Sequence, residues 1–174
     1  VISSTKVWVE KSVIGLNLCP FADSPYRGGR VRFVVSEQRS AAGLLEELGT
    51  ELTQLAATDP LKCETTLLIH PWVLTDFIEY NNFLEACDAT VAALDLEGEL
   101  QVASFHPHYQ FSGSQPDDIE NYTNRSPYPI LHLLREASVE RAVAAAGNTD
   151  EIYLRNMRTL RSLGHDGWRR LWRN

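Results

Sequence analysis

Hydrophobic and polar positions alternate between two rhythms along this chain. Leu44, Leu45, Leu48, Leu52 and Leu55 recur at helical spacing behind Ser40, an N-cap residue, and Thr58-Asp59-Pro60 stops the run. Phe77, Tyr80, Leu84, Cys87 and Val91 repeat the stripe, with Thr75 as the expected cap and Gly98 as the break. Between and beside these stripes lie three short apolar runs that read as strands: Val31–Ser36, Thr65–His70 and Leu100–Phe105.

Ser4–Leu18 reads as a further helix, apolar on more than one face and ended by Pro20. Asp23–Arg30 (DSPYRGGR) reads as a turn-rich loop. Pro129 is a good first helical residue, so the pattern predicts a helix from there to Ala146, stopped by Gly147. Thr149 would cap another, to Leu163, with Gly164 as its stop.

Helices separating strands imply crossovers. The expected fold is therefore α/β: a single domain over 1–174. Its small three- to four-stranded sheet has a β-α-β-α-β core flanked by helices, and the last third is helical, with 148–174 as an extension. A fourth strand, where present, would come from Tyr109–Phe111. Ser112–Tyr128 is long, polar and aperiodic; Ile119, Tyr122 and Tyr128 can pin it, so an ordered functional loop is expected.

Composition narrows the class. The chain is 44% hydrophobic and 22% charged with a formal net charge of -7, which argues against a general nucleic-acid binder. Cys19, Cys63 and Cys87 are odd in number and far apart, which fits a reducing cytoplasm better than a disulfide framework. No apolar run reaches the ~18–20 residues of a membrane span. Val1–Lys11 is amphipathic, unlike a secretory leader.

Three motifs stand out: GLNLCPFA (15–22), ASFHPHYQF (103–111) and NYTNRSPYPILHLLREAS (121–138). Together they resemble a family of bacterial proteins catalogued as a domain of unknown function, from Trp8 to about Ala144. The resemblance implies membership and brings over no activity and no catalytic residue. Its FHP-x-Y-Q-F pattern includes His106 and not His108.

His106 ends a strand, where α/β proteins place ligand sites. A loop histidine bonded to a carbonyl is the competing reading. On the expected helix, His132 and Glu136 stand at i and i+4 with Arg135 beside them, an oriented imidazole or an ordinary ion pair. The loop carries Asp117 and Asp118, which would hold a divalent cation or cap a turn. Asn121 and Asn124 follow, and Arg125 lies near the expected helix start, as an anion contact or a loop fastener. Cys19 sits at a helix C-terminus, the wrong end to activate a thiol, so a buried structural cysteine competes with a nucleophile paired to His106. His70, at another strand end, would join His106 were the two strands parallel neighbours. Arginines 155–173 with Trp168 and Trp172 make a basic, aromatic tail.

The expectation is an enzyme acting on a small anionic molecule. His106, His132, Glu136 and Cys19 would be catalytic, and Arg125, Arg135, Asn121, Asn124 and Tyr109 would bind substrate. A divalent metal at His106, Asp117 or Asp118 is the variant; no nucleotide-cofactor signature is present. The alternatives are a binding or assembly protein that forms homo-oligomers through the tail, and a metal-binding protein without turnover.

Overall fold

The computed structural model describes residues 1–173. Its centre is a mixed four-stranded sheet made of β1 (Val31–Val35), β2 (Thr65–Ile69), β3 (Leu100–Phe105) and β4 (Ile130–Arg135), in the order β1-β2-β4-β3. β1 and β2 are parallel, and β4 runs antiparallel to both β2 and β3. The connection from β2 to β3 leaves a gap one strand wide, and β4 fills it. Helices α3 (Ala41–Ala57) and α4 (Phe77–Ala93) make the crossovers, as their stripes imply.

β4 overturns two expectations: the helix begins at Glu136, not Pro129, and Tyr109–Phe111 is not a strand. ILHLLR is buried on both faces in the middle of the sheet, so its apolar positions run together instead of alternating. Helix α5 (Glu136–Ala146) follows directly. His132 and Glu136 therefore do not share a helix face.

One face of the sheet packs Leu68, Leu131 and Leu133 against Leu44, Leu48, Leu52 and Tyr80 of α3 and α4. The other packs Leu67, Ile69 and Ile130 against Trp8, Val9 and Val13. Those three come from α1 (Ile2–Trp8) and the π-helical segment Val9–Ile14 that continues it. π turns are rare and recur at functional sites. Gly15 permits this one, because a side chain there would strike the Lys11 carbonyl oxygen.

Smaller corrections concern helix ends. The expected 23–30 loop contains a short helix α2 (Asp23–Arg27). Asp76, not Thr75, caps α4, accepting from the backbone N–H groups of Ile78 and Glu79. Asn148, not Thr149, caps α6 (Thr149–Leu171). Gly164 is the expected stop: with φ 62° and ψ 174° its backbone is non-helical, and a separate last helical piece beyond it carries Trp168 and is capped by Trp172. No helix among the described residues is long and apolar enough to cross a membrane.

Candidate functional site

β1, β2 and β3 point their C-terminal ends at one edge of the sheet, and the 106–129 loop runs there from β3 to β4, bonded to Ser104 of β3 and to His70. His70 and His106 extend β2 and β3. Those strands are parallel but separated by β4, yet both rings reach Tyr80: centroids lie 5.6 Å and 5.1 Å from it. Tyr80 in turn donates its hydroxyl to the Ile130 carbonyl at 2.8 Å.

The neighbours fix both tautomers. His108 donates its backbone N–H to Nδ1 of His106 at 3.0 Å, so Nε2 carries the proton and faces the Leu74 carbonyl oxygen at 3.3 Å. Nδ1–H of His70 donates to the Val73 carbonyl at 2.9 Å. Burial pulls His106 below its ordinary value and His70 down to about 4, so both stay neutral. In His106 neither nitrogen is left for a metal or a substrate. Nε2 of His70 is buried without a partner.

The loop is tied by its asparagines. Asn121, fully buried, accepts from Phe111 N–H and the Ser114 hydroxyl and donates to the Gln115 carbonyl. Asn124 donates to the Ser104 carbonyl and accepts from the His106 N–H through its own carbonyl. The Tyr109 ring packs on Phe77 at 5.2 Å. Asp118 accepts from the Gln115 N–H and Asp117 is exposed. Among the described residues no three His, Cys, Asp or Glu side chains gather as a metal site.

Above this layer opens a hollow of about 700 Å³ between α1, the loop and the end of α6. Trp8, His108, Tyr122, Arg125, Trp168 and Trp172 are among the residues that line it. Arg125 is held in place without being neutralised. Nε donates to the Tyr109 carbonyl at 3.2 Å, one terminal nitrogen to the Pro116 carbonyl at 2.5 Å, and the guanidinium lies 4.4 Å from the Tyr122 ring centre. Among the described residues no carboxylate pairs with it. His108 is exposed at this hollow, whereas His106 is buried beneath, with 5.9 Å between the rings.

The structure thus gathers His106, Tyr109, Asn121, Asn124 and Arg125, with Asp117 and Asp118 in the same loop, and places His132, Cys19, Arg135 and Glu136 elsewhere. His132 points from the opposite face of the sheet into a second, apolar cavity of about 50 Å³ that Cys19, Thr65 and Phe21 also line. Thr65 spends its hydroxyl proton on the Leu133 carbonyl at 2.6 Å, so His132 must donate Nε2–H to Thr65 at 2.7 Å, leaving Nδ1 bare. Burial brings this ring down to about 4. Burial also pushes the Cys19 thiol up to about 11, against the opposing pull of the Phe21 and Ala22 N–H groups and of Arg155.

Arg135 and Glu136 lie at the far end of β4, ~17 Å along the strand from Ile130. Arg135 is buried and donates to the carbonyls of Leu55, Thr58 and Cys63, closing the C-terminus of α3. Glu136 N–H bonds the Glu99 carbonyl, beside the β3 start. Neither shares an edge with Arg125. Sequence reasoning passed over Trp8 and Tyr122 as lining residues; the tryptophan-arginine interleaving of the tail was the one legible signal of the aromatic wall.

Fold and site together define a single-domain α/β protein with a hollow of about 700 Å³ beside the β3 end of its mixed sheet. Residues 1–170 match the family model described as Protein of unknown function (DUF1415), and the chain belongs to that family. Searches of curated proteins and of solved structures return no match.

Proposed function

We propose that this protein binds a small anionic molecule in the hollow at the strand ends, with Arg125 as the charged contact. The observation that carries this reading is the state of Arg125. Two carbonyls and the Tyr122 ring fix its plane, yet no carboxylate cancels its charge. A guanidinium that only fastened a loop would serve as well with an acidic partner, and Asp117 and Asp118 are close in sequence without pairing to it. In an acidic chain, an uncompensated cation beside a concave surface favours an anion. The hollow has the volume of a small-molecule site.

Catalysis in this hollow would fall to His108, the exposed imidazole on its wall, in place of His106. Calorimetric titration with phosphate, sulfate and acetate tests the reading. Millimolar or tighter binding that Arg125→Gln abolishes supports it; equal behaviour of both proteins toward every anion rejects it. Assembly through the C-terminal tryptophans is the competing reading, and it predicts a concentration-dependent size.

A further inference from the structure

We infer, resting on the anion reading above, that the ligand is a flat aromatic anion: one or two fused rings bearing a carboxylate, sulfonate or phosphate. The acid group would take the terminal nitrogen of Arg125 that has no protein partner among the described residues. The ring would lie along the aromatic wall.

That wall is built from segments far apart in sequence. Tyr122 and Trp168 meet edge to face at 4.9 Å and 70°, and Trp168 and Trp172 at 5.5 Å and 66°. Each edge-to-face contact uses the edge of one ring and one face of the other, so the row of three rings keeps further faces, and an aromatic face prefers another aromatic ring to an aliphatic one. Trp172 is 38% exposed and lines the hollow. Trp8 forms the floor; it is 3% exposed, and its indole N–H is buried without an acceptor. Arg125 over Tyr122 joins charge to ring within one contact. Phosphate alone would need the cation and a few hydroxyls but not four aromatic side chains. An aliphatic acid would be met equally well by leucines.

The terminal piece of α6 is tied directly by Lys11, which donates to the Leu171 carbonyl at 2.9 Å, and the part of α6 before Gly164 is tied to the loop by Arg161, which pairs with Glu120. Trp168 and Trp172 are thus positioned against the loop before any ligand arrives, which lowers the ordering cost of binding.

The test compares three probes by calorimetry and tryptophan fluorescence: 2-naphthoate, its neutral amide, and decalin-2-carboxylate, which has the charge and size without the aromatic face. Naphthoate should bind tightest, with the amide weaker by about 10- to 100-fold and the decalin acid by about 3- to 10-fold. Arg125→Gln should remove the preference for naphthoate over its amide. Trp172→Leu, at an exposed position that the fold tolerates, should remove the preference over the decalin acid and keep the charge preference. Equal binding of naphthoate and the decalin acid overturns the aromatic class and leaves the anion reading standing. Equal binding of naphthoate and its amide, unchanged in Arg125→Gln, overturns both. No binding by any probe at about 1 mM overturns this inference, and the phosphate, sulfate and acetate titrations then decide the broader reading alone.

Discussion

The imidazole of His106 faces the carbonyl oxygen of Leu74 at 3.3 Å, and Leu74 holds a left-handed φ of 55°. A leucine there is strained by about 1–2 kcal/mol. The adjoining carbonyl, of Val73, is held by His70. The two histidines therefore clamp consecutive carbonyls of the turn that leads into α4, and the turn keeps its strained form because both ends are bonded. His106→Ala should destabilise the protein by about 1–3 kcal/mol, the cost of orphaning buried partners, as measured by urea unfolding. It should move anion affinity far less than Arg125→Gln does. A His106 variant with full stability and lost binding would return His106 to the ligand site.

The buried rings make stability depend on pH in one direction. His70 and His132 titrate near 4 in the folded chain and near 6.5 when unfolded. His106 is also lowered, by burial and by His108, against the Leu74 and Thr75 carbonyls and Asp76. Between these values the unfolded chain binds more protons, so stability falls as pH drops from about 6.5 toward 4 and is flat just above 6.5. Each fully shifted ring contributes at most about 3 kcal/mol to that fall. Urea midpoints from pH 8 to pH 4 give the profile, and His132→Asn should remove one ring's share of the fall and leave that of His70 and His106. A midpoint that stays constant down to pH 4.5 would contradict the assigned neutral states.

The crossover helices and the first three strands were legible because each shows its own period and its own stops. Leu44 through Leu55 sit on one stripe, and all but the partly buried Leu45 are fully covered. β4 was not legible for the opposite reason. Six apolar-rich residues buried on both faces carry no period, and Pro129 before them mimics a helix start. That single misreading moved His132 from an exposed helix face to the inside of the sheet, and with it the proposed His132–Glu136 pair. The polar loop was readable as ordered, but the expected helix start beside Arg125 is the start of β4, so the helix N-terminus that was to share an anion with it is not there. What one sequence does not carry is which of His106 and His108 ends up buried. That depends on Tyr80 and Phe77, two residues on a distant helix.

Arg135 provides a control for the site. Its three carbonyl partners lie at the end of α3 and in the turn before β2, away from the hollow. Arg135→Met keeps the apolar stem and removes the donors, so it should cost at least about 2 kcal/mol in stability with anion affinity unchanged. Denaturation and titration of the same sample separate the two. Weakened affinity in a fully folded variant would place Arg135 functionally where the geometry does not.

Gly164 sets the orientation of the tryptophan-bearing end of α6. Its φ of 62° with ψ of 174° belongs to a region that residues with a side chain enter only at a cost of about 1–3 kcal/mol. Space is not the obstacle, since nothing lies within 4 Å of where a Cβ would stand. Gly164→Ala should therefore act through the backbone alone. It should shift the emission of Trp168 and Trp172 to the red and weaken naphthoate binding, and global stability in urea should fall by no more than that strain. Wild-type emission and affinity in this variant would detach the tail from the ligand site.

Cys19 is the remaining candidate nucleophile, and its surroundings keep it a thiol. At a value of about 11, fewer than about one molecule in a thousand carries the thiolate at pH 7.4. The bare Nδ1 of His132 lines the same cavity, but a neutral ring that titrates near 4 is a weak acceptor for such a proton. Iodoacetamide should modify Cys19 at least about a hundredfold more slowly in the folded chain than in urea, once reagent reactivity in urea is corrected for. Peptide mass spectrometry would resolve each cysteine, with buried Cys87, pushed up to about 12, as the unreactive reference. Labelling of Cys19 as fast as in the unfolded chain, lost in His132→Asn, would instead establish a working thiol–imidazole pair on the face of the sheet opposite His70 and His106.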